Sequence, residues 1–384
     1  MIIDCDTHIM PRDAFDYVDE ALTHLRPILK FDESGQYAGI DFPGKPPDVA
    51  GTTPRGGVGS GGNKYKGISD LETRLADNDA MGVDVQVLLP QFSAWWHYLI
   101  EPKLAVALCR SFNRSLERIG REYQGRFIGV ATVPLQDVEA SIEETEWAKE
   151  HGMGAVVVDW VFPVQDHPYG TTLGEHHELW PFFQRAEELD MPILTHAVQH
   201  GHRISNLPRF RPIGLDYFGS VYVEAQMNLV SLITSGLLDD FPRLQIVHTE
   251  MNTEFIPYLV RRMDAIFKGA PTDFFDDVSP QETRAQKALI TPGAGAKNQR
   301  LPSEYFKSNF FFTIEPEEPE LAEAVDFLGA ERFLFATDYP HDDPGGRMKF
   351  RDRDIFAVNK QISEEDKELI RSGNAVRLFK LPTH

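Results

Sequence analysis

The chain has 384 residues, long for one ordinary domain but usual for an α/β barrel with insertions. Its 38 basic and 59 acidic side chains leave a formal net charge of −21, which argues against nucleic acid or an anionic membrane as the main partner. Two cysteines, Cys5 and Cys109, are too few for a disulfide framework. No signal peptide or membrane span is evident, so we expect a cytoplasmic protein that acts on a small-molecule substrate.

Short apolar runs alternate with segments of helical period along the whole chain. The runs are continuously hydrophobic, which is typical of parallel strands buried on both faces. Eight such strands separated by helical segments predict a (β/α)8 TIM barrel rather than an open sheet. The predicted strands are Ile2–Cys5, Val83–Leu89, Phe127–Val133, Ala155–Val158, Ile193–Thr195, Leu244–Val247, Phe310–Thr313 and Phe333–Ala336.

Two stretches interrupt this alternation. Residues 32–66, rich in Gly and Pro, follow the first strand, and residues 269–302 precede the seventh. Long segments without secondary structure are either functional lids or disorder, and both alternatives stay open here. No repeat at solenoid spacing and no second domain is evident, so residues 1–384 are expected to form one domain.

Residues of the types that bind metals stand at the ends of three predicted strands. Asp6 and His8 follow the first strand and share a face of extended chain, because side chains alternate with period two. His196 follows the fifth strand and Asp338 the eighth. Alone, each is an ordinary polar strand end or a core histidine. Together they indicate a site for a divalent ion such as Zn, Mn or Fe, because a parallel barrel gathers these strand ends at one face.

The end of the sixth strand carries a second pair, His248 and Glu250. A histidine paired with a carboxylate can act as general acid–base or hydrogen-bond a substrate oxygen. We therefore predict catalytic roles for both residues.

The loops after the second and fifth strands lie on the same face of the predicted barrel. Trp95, Trp96 and Tyr98 can wall a pocket for a flat or aromatic substrate, or can pack under the first insertion or in a subunit interface. Arg203 can hold an anionic substrate bidentately, or can be ordinary surface charge or an oligomer contact.

Three motifs carry a resemblance to a known family: Asp6-x-His8, the strand-end His196, and Thr-Asp-Tyr-Pro-His at 337–341. Further similar stretches are 74–84, 250–264 and 373–379, so the likeness spans nearly the whole chain. The chain resembles the amidohydrolase-related family of the amidohydrolase superfamily, which includes aminocarboxymuconate-semialdehyde decarboxylase and γ-resorcylate decarboxylase.

The resemblance implies a homodimer and one divalent metal ion held by Asp6, His8, His196 and Asp338. The chain departs from the family pattern at Asp6, because the first ligand is usually histidine or glutamate. The strand-six pattern also differs, since the decarboxylases often carry His-x-x-Glu or His-Gly-Gly there. No strand-four lysine is available for carbamylation, which weighs against the binuclear hydrolases.

Three reactions fit these residues. The resemblance favours non-oxidative decarboxylation of a small carboxylic acid, aromatic or not. In this reaction Asp338 carries a proton to the carbon that loses carbon dioxide. Hydrolysis of a lactone, amide or ester is the second alternative, because the same metal can activate water. The third adds His248, Glu250 and His341 as ligands, enough for two Fe ions and oxygen activation. In the first two reactions His341 lines the substrate site. A barrel that only binds a ligand is the remaining alternative.

Overall fold

Eight parallel strands form one sheet, and each predicted strand is confirmed with ends that agree to within four residues. The computed structural model describes residues 1–43, 65–91, 102–164, 167–196, 222–268, 296–341 and 350–382. The strands of this sheet are β1 (Ile3–Ile9), β2 (Val85–Pro90), β3 (Phe127–Thr132), β4 (Ala155–Asp159), β5 (Ile193–His196), β6 (Ile246–His248), β7 (Phe310–Ile314) and β8 (Phe333–Phe335).

The sheet closes on itself next to the predicted metal residues. Its strands follow one another in chain order from β1 to β8, and every neighbouring pair is parallel. Thr7 forms a parallel bridge to Tyr339, and His8 N donates a 2.7 Å hydrogen bond to Tyr339 O. The predicted TIM barrel is therefore confirmed. That residues 1–384 form one domain stays a prediction.

The apolar side chains pack in two layers. One cluster fills the barrel interior and includes Ile3, Cys5, Leu194 and Val247. A larger cluster lies between the barrel and the surrounding helices. Because both faces of each strand are buried, the strands show the continuous hydrophobicity that predicted them.

Helices follow the strands on the outside of the barrel. The first begins at N-cap Asp70, whose side chain accepts a 2.9 Å hydrogen bond from Thr73 N, and ends at Gly82 in the left-handed conformation (φ +71°). The α-helices of the described residues are Leu71–Met81, Pro102–Glu122, Val138–Glu150, Trp180–Glu188, Glu224–Thr234, Leu237–Asp240, Ile256–Lys268, Pro302–Ser308, Leu321–Leu328, Asp352–Val358, Glu364–Glu368 and Asn374–Phe379. None of the helices described is long and apolar enough to cross a membrane.

The first predicted insertion contains regular structure that the sequence analysis did not anticipate. Ile28–Phe31 and Tyr37–Asp41 pair as an antiparallel hairpin, so the start of the 32–66 segment is not an irregular loop. Asp32 Oδ1 accepts hydrogen bonds from the backbone of Ser34 and Gln36 and thereby closes the turn. Residues 44–64 and 269–295, the greater part of both insertions, lie outside the described residues.

A second unpredicted hairpin follows β4. Its strands are Val161–Val164 and His167–Thr172, which pair antiparallel.

Arg74 holds the end of β1 in place through buried hydrogen bonds. This fully buried side chain donates from NH1 to His8 O at 2.7 Å and from Nε to Gln86 Oε1 at 2.8 Å. Its guanidinium also lies 4.8 Å from the ring centroid of Tyr339. One side chain therefore connects β1, β2 and the segment after β8.

Arg74→Met should lower the free energy of unfolding by about 3 kcal/mol, because buried acceptors on His8 and Gln86 lose their donor. Chemical denaturation measures this. The control is Arg121→Met on the exposed face of Pro102–Glu122, expected within about 0.5 kcal/mol of wild type. Equal, small effects at the two positions would contradict the connecting role of Arg74.

Candidate metal centre

A shift in the register of β1 turns the side of the strand that carries Asp6 and His8 toward the mouth of the barrel. The pairing of β1 with β2 shifts between Asp4 and Thr7. Cys5 packs in the barrel interior, so strict alternation would turn Asp6 away from it. Both Asp6 and His8 are instead buried at the mouth of the barrel, with Asp6 Oδ1 3.7 Å from His8 Nε2.

Two further strands contribute to the same cluster. His196, the last residue of β5, places Nε2 3.8 Å from Asp6 Oδ1. Asp338, which follows β8, places Oδ1 3.1 Å from His8 Nε2. Potential ligand atoms of Asp6, His8 and His196 all lie within 4.8 Å of one another, and so do those of His8, Asp338 and His341. The structure thus brings together all four residues predicted to bind the metal.

Asp338 is held in place by a short chain of polar contacts. His341 Nδ1 lies 2.8 Å from Asp338 Oδ1, and His341 Nε2 lies 3.2 Å from Gln91 Nε2. The rings of His8 and His341 stack with centroids 4.4 Å apart. His341, predicted to line the substrate site or bind a second metal, therefore contacts the cluster directly.

Glu250 reaches the cluster from the end of β6. Its Oε2 lies 3.1 Å from His196 Nε2. Its backbone has φ +53°, in the left-handed region that residues other than glycine seldom occupy. Glu250 N donates a 3.3 Å hydrogen bond to Thr313 Oγ1 on β7, which ties this turn to the neighbouring strand.

Burial and neighbouring charges together set the pKa values of the cluster. Burial raises the pKa of Asp6 well above its ordinary range, and the charges of Asp338 and Asp4 raise it further. Burial lowers the pKa of His8 to about 4, with a smaller effect from His341. Burial raises the pKa of Asp338. The charge and hydrogen bond of His341 lower it by more and hold it well below the ordinary range.

The donor atoms of this cluster fit a divalent cation. Within the described part of the chain, Asp6 Oδ1 and both ring nitrogens of His8 are buried without a hydrogen bond. Buried polar atoms of this kind are costly unless a partner such as a metal ion satisfies them. Two ligands bound about 2.1 Å from a tetrahedral ion lie about 3.4 Å apart, close to the observed separations of 3.1–3.8 Å.

His248 does not join this cluster. Its Nδ1 lies 3.0 Å from Thr195 Oγ1, and its ring packs near Trp160 and Phe312 with centroids 6.4 and 6.2 Å away. Both aromatic residues belong to the layer between barrel and helices. Because Val247 points into the barrel, the next residue on the strand points out. Burial lowers the pKa of His248 to about 3.

This placement corrects the expected pairing of His248 with Glu250. Of the two residues, it is Glu250 that contacts the cluster, through His196. The remaining predicted substrate residues, Trp95, Trp96, Tyr98 and Arg203, lie outside the described residues.

Three residues near the cluster escaped the sequence analysis. Asp159 ends β4, is buried, and pairs in register with His196. Glu315 follows β7, and its charge contributes to the raised pKa of Asp6. The Tyr222 hydroxyl donates to Asn252 Oδ1 at 3.2 Å, and burial, with Glu315 and Glu250, raises its pKa. Asp159 and Glu315 could have been predicted near the site, because each is a carboxylate at the end of a predicted strand.

Comparison with known proteins gives consistent relatives. The γ-resorcylate decarboxylase of Polaromonas sp. (strain JS666 / ATCC BAA-500) is 28% identical over 330 residues, covering 82% of this chain and 88% of the relative. A solved 2,6-dihydroxybenzoate decarboxylase in complex with 2,6-dihydroxybenzoate is 26% identical with a TM-score of 0.64, covering 82% and 89% of the two chains.

A third relative shares the fold over almost its full length. The 5-carboxyvanillate decarboxylase of Novosphingobium aromaticivorans, solved with bound manganese, has a TM-score of 0.70 at 22% identity, covering 99% of this chain and 97% of its own. The family model for amidohydrolases matches residues 3–381 of the present sequence. The match extends over nearly the whole chain, and the protein therefore belongs to the amidohydrolase family.

Proposed function

We propose that this protein is a metal-dependent decarboxylase that removes carbon dioxide from a small aromatic carboxylic acid. The observation that carries the proposal is the cluster of Asp6, His8, His196 and Asp338, in which potential ligand atoms converge and Asp6 Oδ1 and the ring nitrogens of His8 are buried without a hydrogen bond among the described residues. The decarboxylases among the relatives support the choice of reaction, since several act on hydroxylated benzoic acids by name.

The four residues of this cluster would hold one divalent ion. Nitrogen and oxygen donors of this kind suit Mn, Zn or Fe, and a relative of the same fold is solved with bound manganese. When bound, such an ion supplies a Lewis acid that orients a substrate carboxylate or neighbouring oxygen and draws off negative charge.

Decarboxylation requires a proton at the carbon that loses its carboxylate. The carbon–carbon bond breaks, its electron pair stays on the substrate carbon, carbon dioxide leaves, and a new carbon–hydrogen bond forms. We assign the final transfer of this proton to Asp338, which its low pKa keeps ionised at rest, so that it relays a proton from His341; it lies at the mouth of the barrel with a side chain 14% exposed. His341, 2.8 Å from Asp338 Oδ1, orients the carboxylate and can resupply the proton.

Of the two residues at the end of β6 for which the sequence predicts catalytic roles, His248 and Glu250, we assign the acid–base role to Glu250. Its carboxylate contacts His196 and its side chain is 16% exposed, so it can reach both the cluster and a substrate. His248 is fully buried on the other face of β6 and serves the packing between barrel and helices. The roles of Trp95, Trp96, Tyr98 and Arg203 in substrate binding stay predictions, as does the homodimer.

Protein purified without chelators or added metal should contain a single divalent ion per chain, as measured by elemental analysis. His8→Asn and His196→Asn should lower metal occupancy about tenfold or more, because each removes a ligand. His24→Asn, at an exposed position outside the cluster, is the control.

Two irons per chain would instead favour the two-iron oxygenase. Full metal occupancy in both ligand variants would contradict the proposed site.

Glu250→Gln should retain the metal while kcat falls about 10²–10⁴-fold, the usual contribution of a positioned acid–base group. Glu254→Gln, an exposed carboxylate in the same loop, is the matched control and should leave kcat unchanged. His248→Gln should reduce stability but keep turnover. Loss of metal in Glu250→Gln would make Glu250 a ligand, and loss of turnover with intact metal in His248→Gln would assign the acid–base role to His248.

The reaction class can be tested with 2,6-dihydroxybenzoate and 5-carboxyvanillate, the acids named in the relatives. We expect carbon dioxide and the decarboxylated phenol in equal amounts, detected by gas analysis and chromatography, and no product with His8→Asn. Turnover of lactones or esters, with no carbon dioxide from a broad panel of aromatic acids, would show a hydrolase instead.

A further inference from the structure

A second pocket lies at the opposite end of the barrel from the metal centre. We call it the floor pocket, because the residues that line it precede β5, β6, β7 and β8, lie at the start of β7, or belong to the final helix, Asn374–Phe379, and the residues just after it. Its volume is about 270 Å³. From Pro192 at the floor to His196 at the metal centre is four residues of strand, about 13 Å. The charged residues that line it are Glu187, Asp190, Arg243, Arg332, Arg377 and Lys380.

Four cationic side chains line this pocket in a protein of net charge −21. Two of them are neutralised by carboxylates of the pocket itself. Arg243 NH2 lies 3.4 Å from Glu187 Oε2, and Lys380 forms an ion pair with Asp190. Both carboxylates that line the pocket are therefore paired with a cation of the pocket.

The other two cations, Arg332 and Arg377, have no carboxylate partner within the described residues. Arg332 NH1 donates to Ser308 O at 3.4 Å, and Arg377 NH2 donates to Glu331 O at 3.0 Å. Arg332 Nε is buried without a hydrogen bond. Both guanidinium groups lie over the same ring, 5.1 and 6.0 Å from the centroid of Phe311.

Two positive groups gathered on one ring repel each other. Burial lowers the pKa of Arg332; the charge of Glu331 opposes this effect, and the charge of Arg377 adds a smaller lowering. Contacts with carbonyl oxygens and an aromatic face offset part of this cost, but a full negative charge would offset more.

We propose that the floor pocket binds a small anion, a carboxylate or a phosphate, between the guanidinium groups of Arg332 and Arg377. The planar donors of arginine suit both oxyanions, which they bind through paired hydrogen bonds. The pocket volume of about 270 Å³ admits a phosphate or a short dicarboxylate and excludes a polymer. The site is separate from the metal centre and independent of the proposed reaction.

The test is isothermal titration of the metal-loaded protein with inorganic phosphate and, separately, with succinate. Wild type should bind at least one of them saturably. Arg332→Gln and Arg377→Gln should each weaken binding about tenfold, the loss expected when a charged hydrogen-bonding group is removed. Arg261→Gln is the matched control, because Arg261 also lies over an aromatic ring, Phe327, but is paired with Glu323.

His8→Asn separates the two sites, because an anion bound at the metal centre would be lost in this variant and kept in Arg377→Gln. Binding that survives in His8→Asn and weakens in Arg377→Gln supports the proposal. A response to phosphate alone or succinate alone identifies the chemistry of the anion.

Equal affinity in wild type, Arg332→Gln and Arg377→Gln, or no saturable binding of either anion, would overturn the proposal. Should Arg332→Gln fail to fold, the exposed Arg377 decides the matter, with thermal unfolding of the anion-free protein as the check. Failure here would leave carbon dioxide release untouched, so it is distinguishable from failure of the proposed reaction.

Discussion

The structure around the active end of the barrel depends on one electrostatic constraint. The carboxyl groups of Asp6 and Asp338 lie beside the imidazole of His8, whose pKa burial lowers to about 4, so His8 supplies no balancing charge at neutral pH, and the pKa of Asp6 is raised by burial and by nearby carboxylates. The guanidinium of Arg74 is nearby, but it donates its hydrogen bonds to the backbone of β1 and to Gln86. A divalent ion satisfies this constraint directly, because it supplies the positive charge and coordinates the buried donor atoms that lack hydrogen bonds.

The direction of each side chain decides which strand-end residues can share that ion. On β5, Leu194 points into the barrel, so His196 two residues later points to the same side. On β6, Val247 points inward, and His248 therefore turns to the helices. The same chemistry, a histidine at the end of an apolar strand, thus serves coordination in one place and packing in the other.

The sequence was sufficient for the eight strands, the barrel and the gathering of Asp6, His8, His196 and Asp338, because these follow from hydrophobic runs and from the geometry of parallel strand ends. It was insufficient for His248, since a strand buried on both faces shows no alternation that reveals direction. The hairpin Ile28–Phe31 with Tyr37–Asp41 was missed because its strands lack a regular apolar–polar alternation: Ile28 is exposed, and Tyr37 is the one buried residue of the second strand.

The position of the Glu250 side chain depends on a left-handed backbone conformation that the sequence does not predict for a glutamate. Glu250 and Asp338 both have φ near +55°, as does Asn252, and such residues typically cost about 1–3 kcal/mol each. Glycine would relieve that strain but would remove the carboxylate that meets His196 or His8. An extended continuation of β6 would carry the side chain along the strand instead of across to β5. Strain retained at both carboxylates, where a smaller residue would be more stable, is what selection for chemistry rather than for folding would leave.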